Sequence, residues 1–134
     1  MELKKGYGGF TLWMAVYTLL LLGISALPVE DEALMTRAVV VLTALAMVAL
    51  AFIIWRTERV YWYSGLTYED ALEAGSERRK AFALRHLKVF GAFSAGIVAC
   101  TALMHLLGAP VWIDIAAATA GLCGAAVWTM PIEL

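Results

Sequence analysis

His105 and Asp114 flank the short segment Gly108-Ala109-Pro110, in stretches that otherwise carry no charge. An imidazole titrates near neutral pH, so with a carboxylate at similar depth it would make an ion pair or a proton-linked ligand site. Ionisable groups inside apolar segments are functional candidates by default. The alternative is structural. A carboxylate in the first turn of a helix helps to cap it, and an imidazole at a helix end reaches toward water. Neither residue falls at the middle of its stretch, which favours the structural reading.

Other reactive types are thinly supported. Glu69, Asp70, Glu73 and His86 would be the acids and the base of an enzyme working at a membrane surface, and only their location speaks for it. Cys100 and Cys123 fall at depths about 6 Å apart along antiparallel helices. That is awkward for a disulfide, and without neighbouring histidines they make a poor zinc site. They read as small buried hydrophobes. Gly6, Gly8 and Gly9 lack the spacing and the Lys-Ser/Thr of a phosphate loop. No Ser–His–acid set or carboxylate–His set of the di-iron type is visible. The sequence implies no metal, no cofactor and, on balance, no enzyme.

The elements that position these residues follow from composition. Of 134 residues 63% are hydrophobic and 16% are charged, with a net charge of −1 and a mean hydropathy of +0.81. Soluble domains average about 45–50% apolar and about 25% charged residues. The near-neutral balance excludes a basic nucleic-acid binder and an acidic disordered chain. The apolar residues concentrate in four stretches, 10–27, 38–55, 89–107 and 111–130. A bilayer crossing takes about 17–25 residues. The expected fold is therefore all-α, an integral membrane protein with four transmembrane helices arranged as two antiparallel hairpins in a bundle. A signal peptide would explain the first stretch less well: the apolar run exceeds a usual h-region and no clear cleavage site follows it.

Lys and Arg orient the chain. Lys4, Lys5 and the seven basic residues of the linker 56–88 put nine of ten basic residues on one side. The positive-inside rule makes that side cytoplasmic, together with both termini. A plasma membrane of the bacterial inner-membrane type is expected. Thr67 and Asp70 form a variant capping box, Gly75 interrupts the following helix, and Ser76 is placed to cap a new one. That second helix should run on into the third span. Arg78, Arg79, Lys80, Arg85 and Lys88 would contact anionic headgroups, and Tyr61-Trp62-Tyr63 would anchor the linker at the interface.

Small residues recur every four positions: Gly91, Ala95 and Ala99 on the third span, Ala117, Gly121 and Ala125 on the fourth. Such stripes let helix backbones approach closely. They predict tight packing of the last hairpin and leave a face for a homo-oligomer or another membrane protein. In size the plan is similar to small multidrug exporters and fluoride channels, small four-span proteins that dimerise. The exporters' carboxylate in the middle of the first helix is absent. The expected role is that of a structural or accessory membrane protein working through its helices, lipid headgroups and linker, with no nucleic acid. The alternative is a homo-oligomeric channel or small-solute transporter using His105 and Asp114.

Overall fold

Asp31 starts the second helix, well before the charge-free run begins. Its carboxylate accepts the Leu34 amide at 3.1 Å, and Glu32 favours the positive end of the helix dipole. In the computed structural model, which describes residues 2–63 and 65–134, that helix is α2, Glu32–Thr57. It follows α1, Gly8–Ser25. A single 3-10 turn, Val60–Trp62, leads from α2 toward α3, Tyr68–Leu106. The last helix is α4, Val111–Thr129. Among the described residues there is no strand, and all four helices are long and apolar enough to cross a membrane.

The early start of α2 corrects the sequence reading of residues 28–37 as a turn. It puts Arg37 inside a helix. The other boundaries shift by a few residues. Thr67 and Asp70 do form the capping box that opens α3. Gly75 breaks the regular helix with φ +76°, a conformation that suits glycine. Ser76 does not serve as the expected cap, because its hydroxyl donates to Glu58 Oε1 at 2.8 Å. From Ser76 the helix then continues to Leu106 without a further break, as the sequence predicts. The expected turn at Ser64-Gly65 falls partly on Ser64, outside the described residues, and Gly65 has φ +87°.

Helices α2, α3 and α4 pack together, while α1 leans mainly on α2 and touches Trp62 through Gly9 and Phe10. No residue of α1 is buried. It is held by Trp13 Nε1, which donates to Ala46 O at 2.9 Å, and by Tyr17 hydroxyl against Thr43 Oγ1 at 2.7 Å. Between α2 and α3 the contact is close at Ala44, where Ser94 Oγ donates to the Ala44 carbonyl at 3.2 Å.

The α3–α4 contact is one-sided. Small residues on α4 receive large ones from α3: a Cβ on Gly121 would stand 2.9 Å from Ile97 Cδ1, and one on Gly124 would stand 3.2 Å from Phe93. Ala125 is fully buried and packs with Phe90 and Ala51. The stripe expected on α3 lies elsewhere. Ala95 and Ala99 are exposed, and nothing lies within 4 Å of a Cβ on Gly91. Its i, i+4 spacing was right for a helix face, but the face that meets α4 carries Phe90, Phe93 and Ile97.

The larger of the two core clusters among the described residues gathers at the linker. Leu3, Ile54, Val60, Tyr61, Ala71, Phe82 and Ala83 cluster where the N-terminal tail, the linker and α3 meet. Tyr61, Trp62 and Tyr68 hold the tail: Tyr61 hydroxyl takes the Gly6 amide at 3.0 Å, Trp62 Nε1 donates to Gly6 O at 3.1 Å, and Tyr68 hydroxyl donates to Leu3 O at 2.9 Å. Tyr61 and Trp62 of the expected headgroup anchor thus also clasp the chain's own tail.

Overfilling the α4 groove should be costly. We expect Gly121→Val to destabilise the protein by about 1–3 kcal/mol, measured by denaturant unfolding in mixed micelles. Gly96→Ala, with nothing within 4 Å, should leave the midpoint unchanged or raise it slightly. Equal effects of the two would disprove the packing assignment.

Candidate functional site

The turn between α3 and α4 ends one helix and builds a receptor for charge. Gly108 takes φ +62°. Its amide reaches His105 O at 3.2 Å, and the Ala109 amide reaches Met104 O at 3.0 Å. This is the Schellman arrangement, which needs a left-handed residue just past the helix end. Pro110 then opens α4. The outcome is a set of carbonyls facing α2.

Arg37 fills it. Its Nε donates to Asp114 Oδ2 at 3.1 Å, and Nη2 donates to Ala109 O at 2.6 Å and to Met104 O at 3.4 Å. Nη1 approaches His105 Nδ1 at 3.4 Å. A guanidinium only donates, so this imidazole nitrogen accepts. The pair is closed from solvent, with Asp114 fully buried and Arg37 only 6% exposed. Among the described residues Asp114 Oδ1 has no hydrogen-bond partner.

This arrangement revises the reading of both sequence candidates. His105 is exposed and bonds with Arg37. It does not pair with Asp114. Asp114 makes no side-chain cap for α4 and is an ion-pair partner instead. Arg37 joins the two, and it falls in the gap between the first two charge-free stretches, where the sequence does not mark it. The Asp31-Glu32 cap signal ahead of Leu34 and Met35 would have placed it within a helix.

A second ion pair closes the other end of α2. Glu58 ends that helix in the left-handed region, φ 58° and ψ 19°, unusual for a residue with a side chain. Its carboxylate is buried. Oε2 accepts from Arg79 Nε at 3.1 Å and Nη2 at 2.8 Å, and Oε1 accepts from Ser76 at 2.8 Å. Arg79 Nη1 donates to Ala71 O at 2.9 Å. Exposed Lys80 adds a weaker contact at 3.5 Å. Burial opposes ionisation of Glu58 and is the largest single influence. The bonds from Ser76 and Arg79, with the charges of Arg79 and Lys80, together outweigh it and hold the carboxyl below its ordinary value. Arg79 is therefore removed from the expected headgroup set. Arg78, Lys80, Arg85 and Lys88 remain exposed.

The proposed interfacial acids do not gather around a base. Asp70 is spent on Thr67, whose hydrogen bonds lower its pKa. Glu69 meets Lys5 at 3.7 Å, and Glu73 is exposed. His86 is instead buried among aromatics, 4.4 Å from the Tyr63 ring and 4.3 Å from Phe82. Its Nδ1 faces Phe82 O at 3.1 Å. Burial pushes its pKa down, against a smaller opposing pull from that bond. Cys100 and Cys123 are free thiols. Cys123 is exposed, contrary to its reading as a buried hydrophobe. No group of three potential metal ligands occurs among the described residues.

Breaking a buried pair leaves one charge stranded, at a cost of about 3–5 kcal/mol. Arg37→Leu should destabilise by that amount in micelles, and the double variant Arg37→Leu/Asp114→Leu should lose less than the single. Additive losses in the double-mutant cycle would show that the two side chains are not coupled.

Stability should also fall in two steps with acidification. His86 is depressed in the folded state, so its contribution is complete above its ordinary value of 6.5 and is lost as pH falls through the folded value. Glu58 is likewise depressed, so its contribution is complete above 4.5 and fades below that. Thermal midpoints measured from pH 8 to pH 3 should show both limbs. His86→Phe should remove the first, and Glu58→Gln should shrink the second, to which Asp70 also contributes.

Compared with known proteins, the chain matches no family model, no curated protein and no solved structure.

Proposed function

We propose that this chain is an integral membrane protein of two antiparallel hairpins that serves as a structural or accessory component, binding lipid or a partner helix through its apolar faces. One observation carries the reading: the buried charges at the ends of α2, Arg37 and Glu58, are neutralised within the chain, by Asp114 and by Arg79. Charges consumed in this way are poorly placed to line a path for a solute. Much of the remaining surface of the spans is apolar. Leu12, Leu19 and Leu22 on α1, and Trp112, Val127 and Trp128 on α4, are all exposed.

The orientation proposed for the plasma membrane places both termini and the linker in the cytoplasm. The one basic residue on the opposite side, Arg37, is a buried partner of Asp114, so it does not weigh against the positive-inside argument. Arg78, Lys80, Arg85 and Lys88 project from α3 and would meet anionic headgroups, at about 1 kcal/mol each near the surface. The exposed faces of α1 and α4 would take a second copy or another membrane protein.

A homo-oligomeric channel or small-solute transporter is the second reading. It is favoured by the buried, unpartnered Asp114 Oδ1 next to the His105–Arg37 contact. Proteoliposomes separate the two. The accessory reading expects them to hold potassium and proton gradients as long as empty vesicles do. Flux above that background, abolished by Asp114→Asn with His105→Ala, would establish the second reading and end the first.

A further inference from the structure

The middle of α3, the end of α4 and the linker border a half-open cavity of about 590 Å³ that no ion pair fills. That volume lies within the usual range of about 300–1,000 Å³ for small-molecule sites. Its lining is mixed: Phe82, Phe90 and Ala126 are apolar, while Tyr63, His86 and Glu133 bring polar groups.

Two of those polar groups lack partners. Phe82 O can only accept, so the His86 Nδ1 facing it at 3.1 Å carries the proton. In the neutral imidazole the other nitrogen, Nε2, is then a bare acceptor, and it makes no hydrogen bond to a described residue. The Tyr63 hydroxyl is buried and also without a partner among the described residues. A native interior rarely leaves a buried donor unsatisfied without a reason. The two rings are stacked at 4.4 Å, and both residues line the cavity. Thr129 adds little, since its hydroxyl is used on Ala126 O at 2.8 Å.

We infer that this cavity binds an uncharged amphiphile whose head carries a hydroxyl and an adjoining oxygen acceptor. The ligand hydroxyl donates to His86 Nε2, and its second oxygen accepts from the Tyr63 phenol. The tail lies along Phe90 and Ala126 toward the bilayer. Charge selects against anionic heads, because the lining holds Glu133 and no Lys or Arg. Diacylglycerols and isoprenoid quinols share this head chemistry. The inference concerns the inner end of the bundle and is independent of whether the protein oligomerises or conducts.

Binding of dioctanoylglycerol and of decylubiquinol to the detergent-solubilised full chain tests it, by native mass spectrometry, with dioctanoyl phosphatidate as the anionic control. At least one hydroxylated probe should bind, and the tighter of the two identifies the source. Phosphatidate should bind at least tenfold more weakly. His86→Phe keeps the aromatic stack and Tyr63→Phe removes only an unpartnered oxygen. Each should weaken binding by about threefold to tenfold, the worth of one hydrogen bond. Tyr63→Phe should melt no lower than wild type, so its loss of binding cannot come from unfolding. Binding of neither hydroxylated probe, equal binding of phosphatidate, or wild-type affinity in either folded variant would overturn the inference.

Discussion

A guanidinium and a carboxylate stand at one end of an apolar bundle, and their mutual neutralisation conditions everything near them. Each ion alone would carry a desolvation penalty of several kcal/mol. Arg37 avoids it by meeting Asp114 Oδ2 and the carbonyls of Met104 and Ala109 together. Those carbonyls are in reach only because Gly108 turns the chain with a positive φ. One side chain on α2 is thereby tied to the end of α3 and the start of α4. The short connection, the glycine and the two charges form one unit.

The same helix is fastened at its other end by Glu58. From Arg37 to Glu58 is 21 residues, or about 32 Å of helix. The hydrocarbon core of a bilayer is about 30 Å thick. The two ion pairs are thus spaced to stand at opposite boundaries of such a layer, and the apolar length of α2 lies between them. Helix α2 acts as a strut whose ends are clipped to its neighbours. The left-handed backbone at Glu58 fits this role, since it brings a carboxylate at the helix end against Ser76 and Arg79 beside the break at Gly75.

Features governed by local chemistry were legible in the sequence: four apolar lengths, the tight Gly108 turn, the Thr67–Asp70 capping box and the break at Gly75. Pairing was not. Arg37 and Asp114 are 77 positions apart, and no spacing rule links residues on the first and last helices of a three-helix contact. Searching for charge-free runs also cut α2 at Ala38 and hid the arginine. His105 and Asp114 did fall at similar depth, as their spacing required, but a third helix supplied the partner. Arg79 read as a surface charge because Arg78 and Lys80 beside it are surface charges. Only the helical rotation of 100° per residue, combined with where Glu58 lies, turns it inward.

The division of labour along the bundle follows from its solvents. Lipid tails are about as apolar as Leu, so burying a leucine between helices in a bilayer gains little over leaving it in lipid. Cohesion there has to come from shape and from polar contacts: Ile97 against Gly121, Ser94 on the Ala44 carbonyl, Tyr17 with Thr43, and the Arg37 ion pair. Where water is present the hydrophobic effect returns. The largest cluster of buried apolar side chains, Leu3, Ile54, Val60, Tyr61, Phe82 and their neighbours, accordingly lies at the linker. The linker is then more than a connection between hairpins. It is the one part of the chain able to use burial from water as a driving force. Tail, α2 and α3 converge on it because apolar burial stabilises contacts there that it would barely stabilise within the spans.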